Sequence, residues 1–441
     1  MSGTRYTCVA KAVPIPILPV ALTLAATACE PAPPRPPPSQ TQTQDSAGIL
    51  IVENARPETG SRLGWLVSQA PAISIGTVAG GEDFQLHQVG DALKLPDGRI
   101  VVANGGSHQL LVFDDTGNYL EAWGQRGEGP GDFSTIQGSD GLGRSVFWME
   151  RWPGDSLAVC SGSSQAVNNV VSIWDTRGRH GRTLNLTRIN RSKCRDVLAG
   201  GAILASRRVG SPTALPEKGM NRDQEDFSIL AGDGSPLGAL GRHPGGEIFW
   251  YFEDHMGDGT GMGLFDPPFR KTLWWAAWGD FVVLAPTDRY ELRAYRHDGS
   301  LARIVRRQND ARSPTQADVE SYREAYTPKR EETIHLLKQY NATVDAFPLP
   351  ESFPAFTAIE VDALGYLWVR EYNPPGDEDR ALWTVFDSEG FVQGFVETPP
   401  RLVIHQIGEE FILGKVLDEL GVEYVQLWGL DRREARTGRS P

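Results

Sequence analysis

Two short sequence signals alternate along the chain, six times each, and this internal repeat constrains the fold more than any other feature. The first is a tight turn followed by an apolar run of about five residues, as in Pro96-Asp97-Gly98 before RIVVA. The second is an alternating apolar run that ends in another turn, as in LLVFDDTG at 110–117. Further copies of the first begin near residues 153, 200, 278, 364 and 407, and further copies of the second span 171–178, 227–234, 292–299, 382–390 and 424–431. Such self-similarity indicates a repeated supersecondary unit.

The repeat predicts an all-β fold. Runs of five residues have the length of a strand, and Gly/Asp turns supply the positive φ that tight hairpins need. Four antiparallel strands in each of six units make a six-bladed β-propeller, with a large β-sandwich as the alternative. The last unit ends after its third strand, so an N-terminal strand, either ILIVEN (49–54) or AISIG (72–76), is expected to complete it and close the ring. We therefore assign residues 47–432 to one propeller.

One stretch has helical rather than strand periodicity, and we expect it as a small insertion at 311–353, between blades 4 and 5. Ser313 is the expected N-cap, with Pro314 in the first turn. Pro328 is expected to divide the stretch into two helices, because proline interrupts a helix interior.

The N-terminus has the features of a bacterial export signal. Arg5 and Lys11 precede an apolar run, and Ala26-Thr27-Ala28-Cys29 follows it. Small residues before a cysteine resemble a lipobox, so residues 1–28 are predicted to be a signal peptide and Cys29 to carry the lipid. An ordinary cleaved signal and a short membrane anchor are the alternatives.

The remaining terminal segments are expected to lie outside the propeller. Residues 29–46 are rich in proline and predict an extended tether between the lipid and the domain, and residues 433–441 predict a disordered tail. The lipobox resemblance implies a lipid-anchored protein of the bacterial cell envelope. Glu30 is not the aspartate that commonly retains lipoproteins in the inner membrane, which favours the outer membrane, facing the periplasm or the cell surface.

Charge argues against one class of partner. The formal net charge is −13, and removal of residues 1–28 leaves 41 basic against 56 acidic residues, a net charge near −15. An acidic chain without an extended basic patch is not expected to bind nucleic acid.

Two cysteines remain in the mature domain beyond the lipidated one. Cys160 ends a second strand and Cys194 begins the first strand of the next blade, so both approach the same face of the propeller. In an oxidising compartment this placement predicts a disulfide. Two buried thiols are the alternative.

The two faces of the predicted propeller differ in elaboration. Turns between first and second strands and between third and fourth strands are tight, and they lie on what we call the plain face. Every long insertion falls on the opposite face, which we call the built-up face; the insertions are 124–140, 207–224, 241–270, 311–353 and 371–380. Long loops on a rigid scaffold commonly carry binding.

The candidate site residues lie on the built-up face. In the stretch 246–264, Trp250 has the ring to stack on a sugar or another ring, and Glu253, Asp254 and His255 have the chemistry to bind a cation or move protons. The alternative is that the aromatic residue packs on the rim and the acids face solvent.

Two arginines are further candidate ligand contacts. Arg207 and Arg370 end second strands and are expected near the mouth of the central channel. Ordinary salt bridges on the rim are the alternative for both.

The stretch NGGSHQLLVFDDTGNYLEAWGQRGEGPGDF (104–133) resembles an NHL-type repeat of bacterial propellers. With DSAGILIVEN at 45–54 and DALGYLWVREYNPPGDE at 362–378, nearly the whole mature chain resembles a family of uncharacterised six-bladed propeller lipoproteins. The resemblance implies the fold, and its structural motifs carry no catalytic residues across.

Several functions fit this fold. We expect a membrane-tethered binding or scaffolding propeller that needs no cofactor and whose ligand is a protein, a glycan or a small molecule. The alternative is a metal-dependent hydrolase or lyase, lactonase-like, with a divalent metal at the channel mouth. A third hypothesis is that the helical insertion docks a partner in an outer-membrane assembly. The sequence has no HExxH, Gly-x-Ser-x-Gly or P-loop motif, and no catalytic residue is assigned.

Overall fold

Antiparallel sheets recur along the chain in the order that the repeat predicts. The computed structural model describes residues 41–58, 60–77, 81, 84–127, 129–133, 146–162, 169–209, 219–254, 260–326, 347–374 and 381–432. Within these ranges, six sheets each contain four successive antiparallel strands or, in the last sheet, three strands completed from the N-terminus. The first strands of neighbouring sheets contact each other around the centre. The fold is a six-bladed β-propeller, as predicted.

The strands run in chain order around the ring. Before blade 1 lie β1 (Thr41–Ser46), β2 (Ile49–Asn54), β3 (Leu66–Val67) and β4 (Ile73–Ile75). Blade 1 is β5 (Val89–Lys94), β6 (Ile100–Asn104), β7 (Gln109–Phe113) and β8 (Tyr119–Trp123), followed by the short pair β9 (Gln125–Arg126) and β10 (Asp132–Phe133). Blade 2 is β11 (Val146–Trp152), β12 (Ser156–Ser161), β13 (Val170–Asp175) and β14 (His180–Asn185). Blade 3 is β15 (Lys193–Val197), a 3-10 turn (Ala199–Gly201), β16 (Ile203–Val209), β17 (Gly219–Leu230), β18 (Pro236–Asp254) and the added β19 (Thr260–Phe265).

The second half of the ring follows the same order. Blade 4 is β20 (Leu273–Trp278), β21 (Phe281–Pro286), β22 (Glu291–Tyr295) and β23 (Leu301–Arg307), and helix α1 (Gln316–Tyr326) follows it. Blade 5 is β24 (Phe356–Val361), β25 (Leu367–Glu371), β26 (Ala381–Phe386) and β27 (Val392–Thr398). Blade 6 is β28 (Val403–Ile407), β29 (Phe411–Leu417) and β30 (Glu423–Asp431).

The hydrophobic core is divided into one cluster at each of the six blade junctions. On β6, for example, Val101 and Ala103 pack toward blade 2, whereas Ile100 and Val102 pack toward blade 6. Because successive side chains of a strand point to opposite faces of its sheet, a blade between two neighbours needs apolar residues at every position. This explains why the second strands are continuous apolar runs rather than alternating ones.

A recurring turn explains the tight connections. In the described part of the chain, five Asp-x-x-Gly turns share one pattern: the glycine N–H donates to the aspartate carbonyl, and the carboxylate accepts backbone N–H groups two and four residues further on. Gly390 has a φ of +92°, which an L side chain rarely adopts. The turns begin at Asp114, Asp175, Asp362, Asp387 and Asp418.

The ring is closed by the N-terminal strand AISIG. β4 pairs antiparallel with β30, with Ile75 opposite Val425, and the side chain of Ile75 is buried in the core between blades 6 and 1. β3 pairs with the end of the same strand. At the channel, Gln406 of blade 6 accepts the Lys94 N–H of blade 1 at 2.7 Å. Blade 6 is therefore completed by hydrogen bonds to strands that precede blade 1 in the chain.

The strand ILIVEN lies elsewhere. β2 runs parallel to β23 on the outer edge of blade 4, and β1 folds back on β2 as a hairpin. Residues 41–46, which the sequence analysis assigned to the tether, therefore belong to this sheet.

The insertion begins as a helix, two residues later than expected. Thr315 caps α1, because its Oγ1 accepts the Asp318 N–H at 3.4 Å and the Asp318 carboxylate accepts the Thr315 N–H at 2.8 Å. Ser313, the predicted N-cap, instead donates to the Glu351 carbonyl. The segment after Pro328 lies outside the described residues. No helix in the described part of the chain is long and apolar enough to span a membrane.

Candidate functional site

The built-up face carries a β-structured extension of blade 3. Residues 219–223 of β17 continue past the end of β16 and pair only with β18, and β19 adds a third strand along residues 249–254. We call residues 219–223, 244–254 and 260–265 the arm. The sequence analysis predicted long loops at 207–224 and 241–270, and in this part the structure has extended strands instead, because residues 219–222 pair with β18 and β19 pairs with its end.

The arm is fixed to blade 4 by charged groups. The Arg222 guanidinium donates to both carboxylate oxygens of Asp288, at 2.6 and 2.8 Å. Burial raises the pKa of Asp288, but the hydrogen bonds and charge of Arg222 outweigh it, and the net pKa is lowered. Glu247 accepts the Lys271 N–H at 2.6 Å and donates its own N–H to the Lys271 carbonyl at 2.9 Å. The bidentate Arg222–Asp288 pair fixes the orientation of the arm on blade 4 as well as its position.

The helical insertion is packed against the same region. Phe269, Val319 and Phe353 form a small core that α1 shares with the segment before blade 4. The buried Lys271 donates from Nζ to the Phe353 carbonyl at 2.5 Å, and burial lowers its pKa. Arm, insertion and blade 4 thus form one continuous structure, which we call the platform.

Phe249 of the arm joins the two parts of the platform directly. Its ring meets that of Phe347 edge to face, with centroids 4.7 Å apart. Such aromatic contacts add to the stability from burial alone.

A buried ion pair lies at the junction of blades 4 and 5. Arg307 donates to Glu371 at 2.9 Å, and both side chains are nearly inaccessible to solvent. Tyr290 and Thr384 also donate to the Glu371 carboxylate, at 3.0 and 2.7 Å. Burial raises the pKa of Tyr290 well above its usual range, so the phenol stays a donor. These hydrogen bonds stabilise the Glu371 carboxylate, whose burial without partners would be costly.

The predicted site residues are not brought together in one pocket. Arg207 forms a salt bridge with Asp226 at 2.9 Å, which is the alternative that the sequence analysis gave for this residue. Trp250 is half-buried on the arm opposite Gly219. The partners Asp226 and Gly219 are seven residues apart on one strand, which is roughly 23 Å at strand rise. Arg207 and Trp250 therefore do not contact the same small ligand.

The other candidate residues lie as follows. Glu253 and Asp254 end β18, and their side chains are outside what the structure describes, as is all of His255. Arg370 is half-buried in β25, opposite Trp383 on the neighbouring strand.

Cys160 and Cys194 are neighbours across the junction of blades 2 and 3. Both are buried free thiols in the same apolar cluster, and the predicted disulfide is not formed in this structure. Burial, followed by a hydrogen bond with Cys160, raises the pKa of the Cys194 thiol. Apolar surroundings favour the neutral thiol in this way. The lipidation candidate Cys29 lies outside the described residues.

The central channel holds a group of carboxyl side chains that the sequence analysis did not single out. Asp91, Glu150, Asp196 and Glu360 come from the inner strands of blades 1, 2, 3 and 5, and His405 comes from blade 6. One acid inside each of several aligned inner strands is a signal that the sequence contains. Its alignment was obscured because the acid directly follows the bulged residue in β5 and β15 but lies three residues after it in β11 and β24.

Two of these acids tie neighbouring blades together. The Asp91 carboxylate accepts the Met149 N–H of blade 2 at 2.8 Å, and Asp196 accepts the Ala277 N–H of blade 4 at 3.0 Å. His405 places Nδ1 3.1 Å from Asp91 Oδ1.

Burial controls the ionisation of the acids. Burial, then the charge of Asp196, raises the pKa of Glu150 to about 8. Burial raises the pKa of Asp196 to about 6. Burial, then the charge of Asp91, raises the pKa of Glu360 well above its usual range. Part of this group is therefore neutral near pH 7.

Among the described residues, no three His, Cys, Asp or Glu side chains are placed to hold one metal ion. The residues that would test the predicted divalent site most directly, around His255, are outside that set.

Comparison with known proteins supports the fold. A family model described as DUF5128, 6-bladed beta-propeller, matches residues 81–139, which hold blade 1 and part of the crossing to blade 2. No curated protein matches this sequence.

Solved structures of similar shape have little sequence identity. A protein from Bacteroides fragilis described as exported is 11% identical, with a TM-score of 0.46 over 87% of this chain and 100% of that one. A DUF4221 family member from Bacteroides vulgatus is 8% identical, with a TM-score of 0.47 over 85% and 100%. Virginiamycin B lyase from Staphylococcus aureus is 10% identical, with a TM-score of 0.36 over 82% and 99%. Similarity at these levels carries no functional argument.

Proposed function

We propose that this protein is a membrane-tethered, extracytoplasmic propeller that binds or scaffolds a partner through the platform on its built-up face. The observation that carries the proposal is the anchoring of the platform: two separate insertions, in blade 3 and between blades 4 and 5, are joined to each other and to blade 4. The Arg222–Asp288 pair, the buried Lys271 and the Phe249–Phe347 contact hold them. A rigid support for added surface is the usual construction of a binding face.

The cellular setting follows from the sequence. The lipobox-like Ala26-Thr27-Ala28-Cys29 and the proline-rich residues after it support a lipid anchor and a short tether. In this arrangement the lipid holds the domain at the envelope, and the platform meets a protein, a glycan or a small molecule there.

Site-specific photo-crosslinking in the source bacterium tests the proposal. A photoreactive amino acid at Trp250, on the arm, is expected to capture one defined partner. The matched control is Leu120, which is 50% exposed on the outer strand of blade 1. Capture of the same species from both positions, or from neither, would contradict a binding role of the platform.

The metal-dependent hydrolase or lyase remains the alternative, because acids and a histidine follow one another at 253–255 at the end of the arm. Plasma emission spectroscopy of protein purified without chelator distinguishes the two. A stoichiometric divalent ion that is lost on Asp254→Ala would favour the enzyme and justify a lactone and ester screen.

A further inference from the structure

The acids of the central channel have unused capacity to accept hydrogen bonds. Among the described residues, Glu360 accepts no hydrogen bond, and Glu150 accepts only one, from the backbone N–H of Arg151 at 2.7 Å. Both side chains are half-buried, so solvent in the channel reaches them. Asp91 and Asp196, by contrast, already accept backbone N–H groups from the next blade. The two glutamates are therefore available to a ligand that donates hydrogen bonds.

His405 gives an independent indication of the same ligand chemistry. Its side chain is 9% exposed and its Nδ1 lies 3.1 Å from Asp91 Oδ1. Beside a carboxyl group Nδ1 is the favoured donor nitrogen, and in that tautomer of the neutral ring Nε2 is an acceptor. Nε2 is buried and has no hydrogen-bond partner among the described residues. In that tautomer the unfilled position is an acceptor, which an N–H group satisfies and an anion does not.

The spacing of the acids argues against a directly coordinated metal. The charges of Asp91, Asp196 and Glu150 all help to raise the pKa of Glu360, yet no three of the described His, Cys, Asp or Glu side chains are placed to hold one ion. A primary ammonium group has three N–H donors and a full positive charge, and it needs no such convergence.

We propose that the central channel binds the primary ammonium group of a linear aliphatic amine between Glu150 and Glu360, beside the Asp91–His405 pair. The amine enters the channel with its charged end toward the inner strands of blades 1, 2, 5 and 6. This site is separate from the platform, and its occupancy does not depend on the proposed docking function.

Isothermal titration calorimetry of the full-length lipidated protein in detergent, with 1,5-diaminopentane as the probe, tests the proposal. We expect saturable binding of the diamine and none of 1,5-pentanediol, which has the same chain but no charge. Because burial keeps part of this acid group neutral near pH 7, we expect binding of the ammonium group to be accompanied by proton release. Glu360→Gln and Glu150→Gln should each weaken binding about ten-fold or more, because the carboxyl group that ionises beside the ammonium group is lost. Glu389→Gln, on an exposed turn of blade 5, should leave the affinity unchanged.

Three results would overturn the proposal: no binding of the diamine to the wild-type protein, equal binding of the diol, or binding that neither channel variant changes. Saturable binding of Ca²⁺ in place of the diamine would likewise contradict it. The first two comparisons use the wild-type protein alone, so they hold even if a channel variant fails to fold. A parallel titration with Nα-acetyl-lysine methylamide shows whether a lysine side chain supplies the same ammonium group.

Discussion

At the scale of single residues, Glu150 couples the channel to pH. In the unfolded chain it ionises near its ordinary pKa of 4.5, whereas in the folded protein burial and the charge of Asp196 raise that pKa to about 8. Between these two pH values the folded protein keeps a proton that the unfolded chain has released. The free energy of unfolding therefore falls as the pH rises through this window.

Glu150→Gln should remove this contribution. Relative to the variant, the wild-type protein is expected to lose on the order of 2 kcal/mol of unfolding free energy between pH 4.5 and 8, with allowance for the solvent that reaches this side chain. Urea unfolding at pH 4.5, 6 and 8 measures the difference. Glu121→Gln, exposed on blade 1, should follow the wild type at every pH. A wild type and a Glu150 variant with parallel pH profiles would show that the channel does not perturb this group.

The contact between Cys160 and Cys194 keeps the disulfide as a prediction for the oxidising envelope. Protein isolated from the envelope should then be 2 Da lighter before reduction than after it, by intact mass spectrometry. Reduction should cost about 3–4 kcal/mol of unfolding free energy in the chain-entropy model, because the bond closes a loop of about 34 residues. Full alkylation of both thiols in unreduced, unfolded protein would show instead that the buried free thiols are the native state.

At the scale of elements, the N-cap of α1 is Thr315 in the structure, whereas the sequence favoured Ser313. Ser313 and Thr315 are both good N-cap residues, and the choice between them depends on Asp318, which faces Thr315 across the first turn. Thr315→Ala should destabilise the helix by about 1 kcal/mol. Hydrogen exchange of residues 316–326 should speed up in that variant and change less in Ser313→Ala. The reverse order would restore Ser313 as the cap.

The repeat predicted the six blades because each second strand must be apolar on both faces, a pattern that few other β-folds need. The repeat did not decide between ILIVEN and AISIG, because both are short apolar strands of similar length. They differ in the sheet edge with which they pair, which is that of blade 4 for ILIVEN and that of blade 6 for AISIG. The same limit applies to the arm, because the glycines and the continuous apolar run of residues 245–252 do not show from the sequence that β18 extends beyond its blade. The channel acids were missed because they follow the strand bulges at two different distances and so do not recur at one position of the repeat.

Closure by β4 gives a prediction with a matched control. Ile75 is 1% exposed in the core between blades 6 and 1, whereas Leu66 of β3 is 68% exposed. Ile75→Ala should lower the unfolding free energy by about 2–4 kcal/mol, because it leaves a cavity at the junction that closes the ring. Leu66→Ala should change it by about 0.5 kcal/mol or less. Equal effects of the two substitutions in urea unfolding would argue that β4 does not complete blade 6.

At the scale of the whole molecule, the strands that precede blade 1 join the propeller at two different blades. Blade 6 is completed by a strand that precedes blade 1, so the propeller depends on residues only a short distance beyond the predicted tether. Because β1 and β2 attach to the outer edge of blade 4, the chain enters the domain at its perimeter rather than at the channel.

Cys29→Ser tests the predicted lipid anchor. Without the acylated thiol, the protein has only the signal sequence to hold it, and we expect it to move from the membrane fraction to the soluble fraction of the envelope or to remain unprocessed. Cys8→Ser is the matched control, because Cys8 lies within the predicted signal peptide and should leave fractionation unchanged. Metabolic labelling with a fatty acid should mark the wild type and the Cys8 variant but not the Cys29 variant. If the Cys29 variant kept both its label and its membrane fractionation, the lipobox assignment would be wrong and a membrane anchor of another kind would take its place.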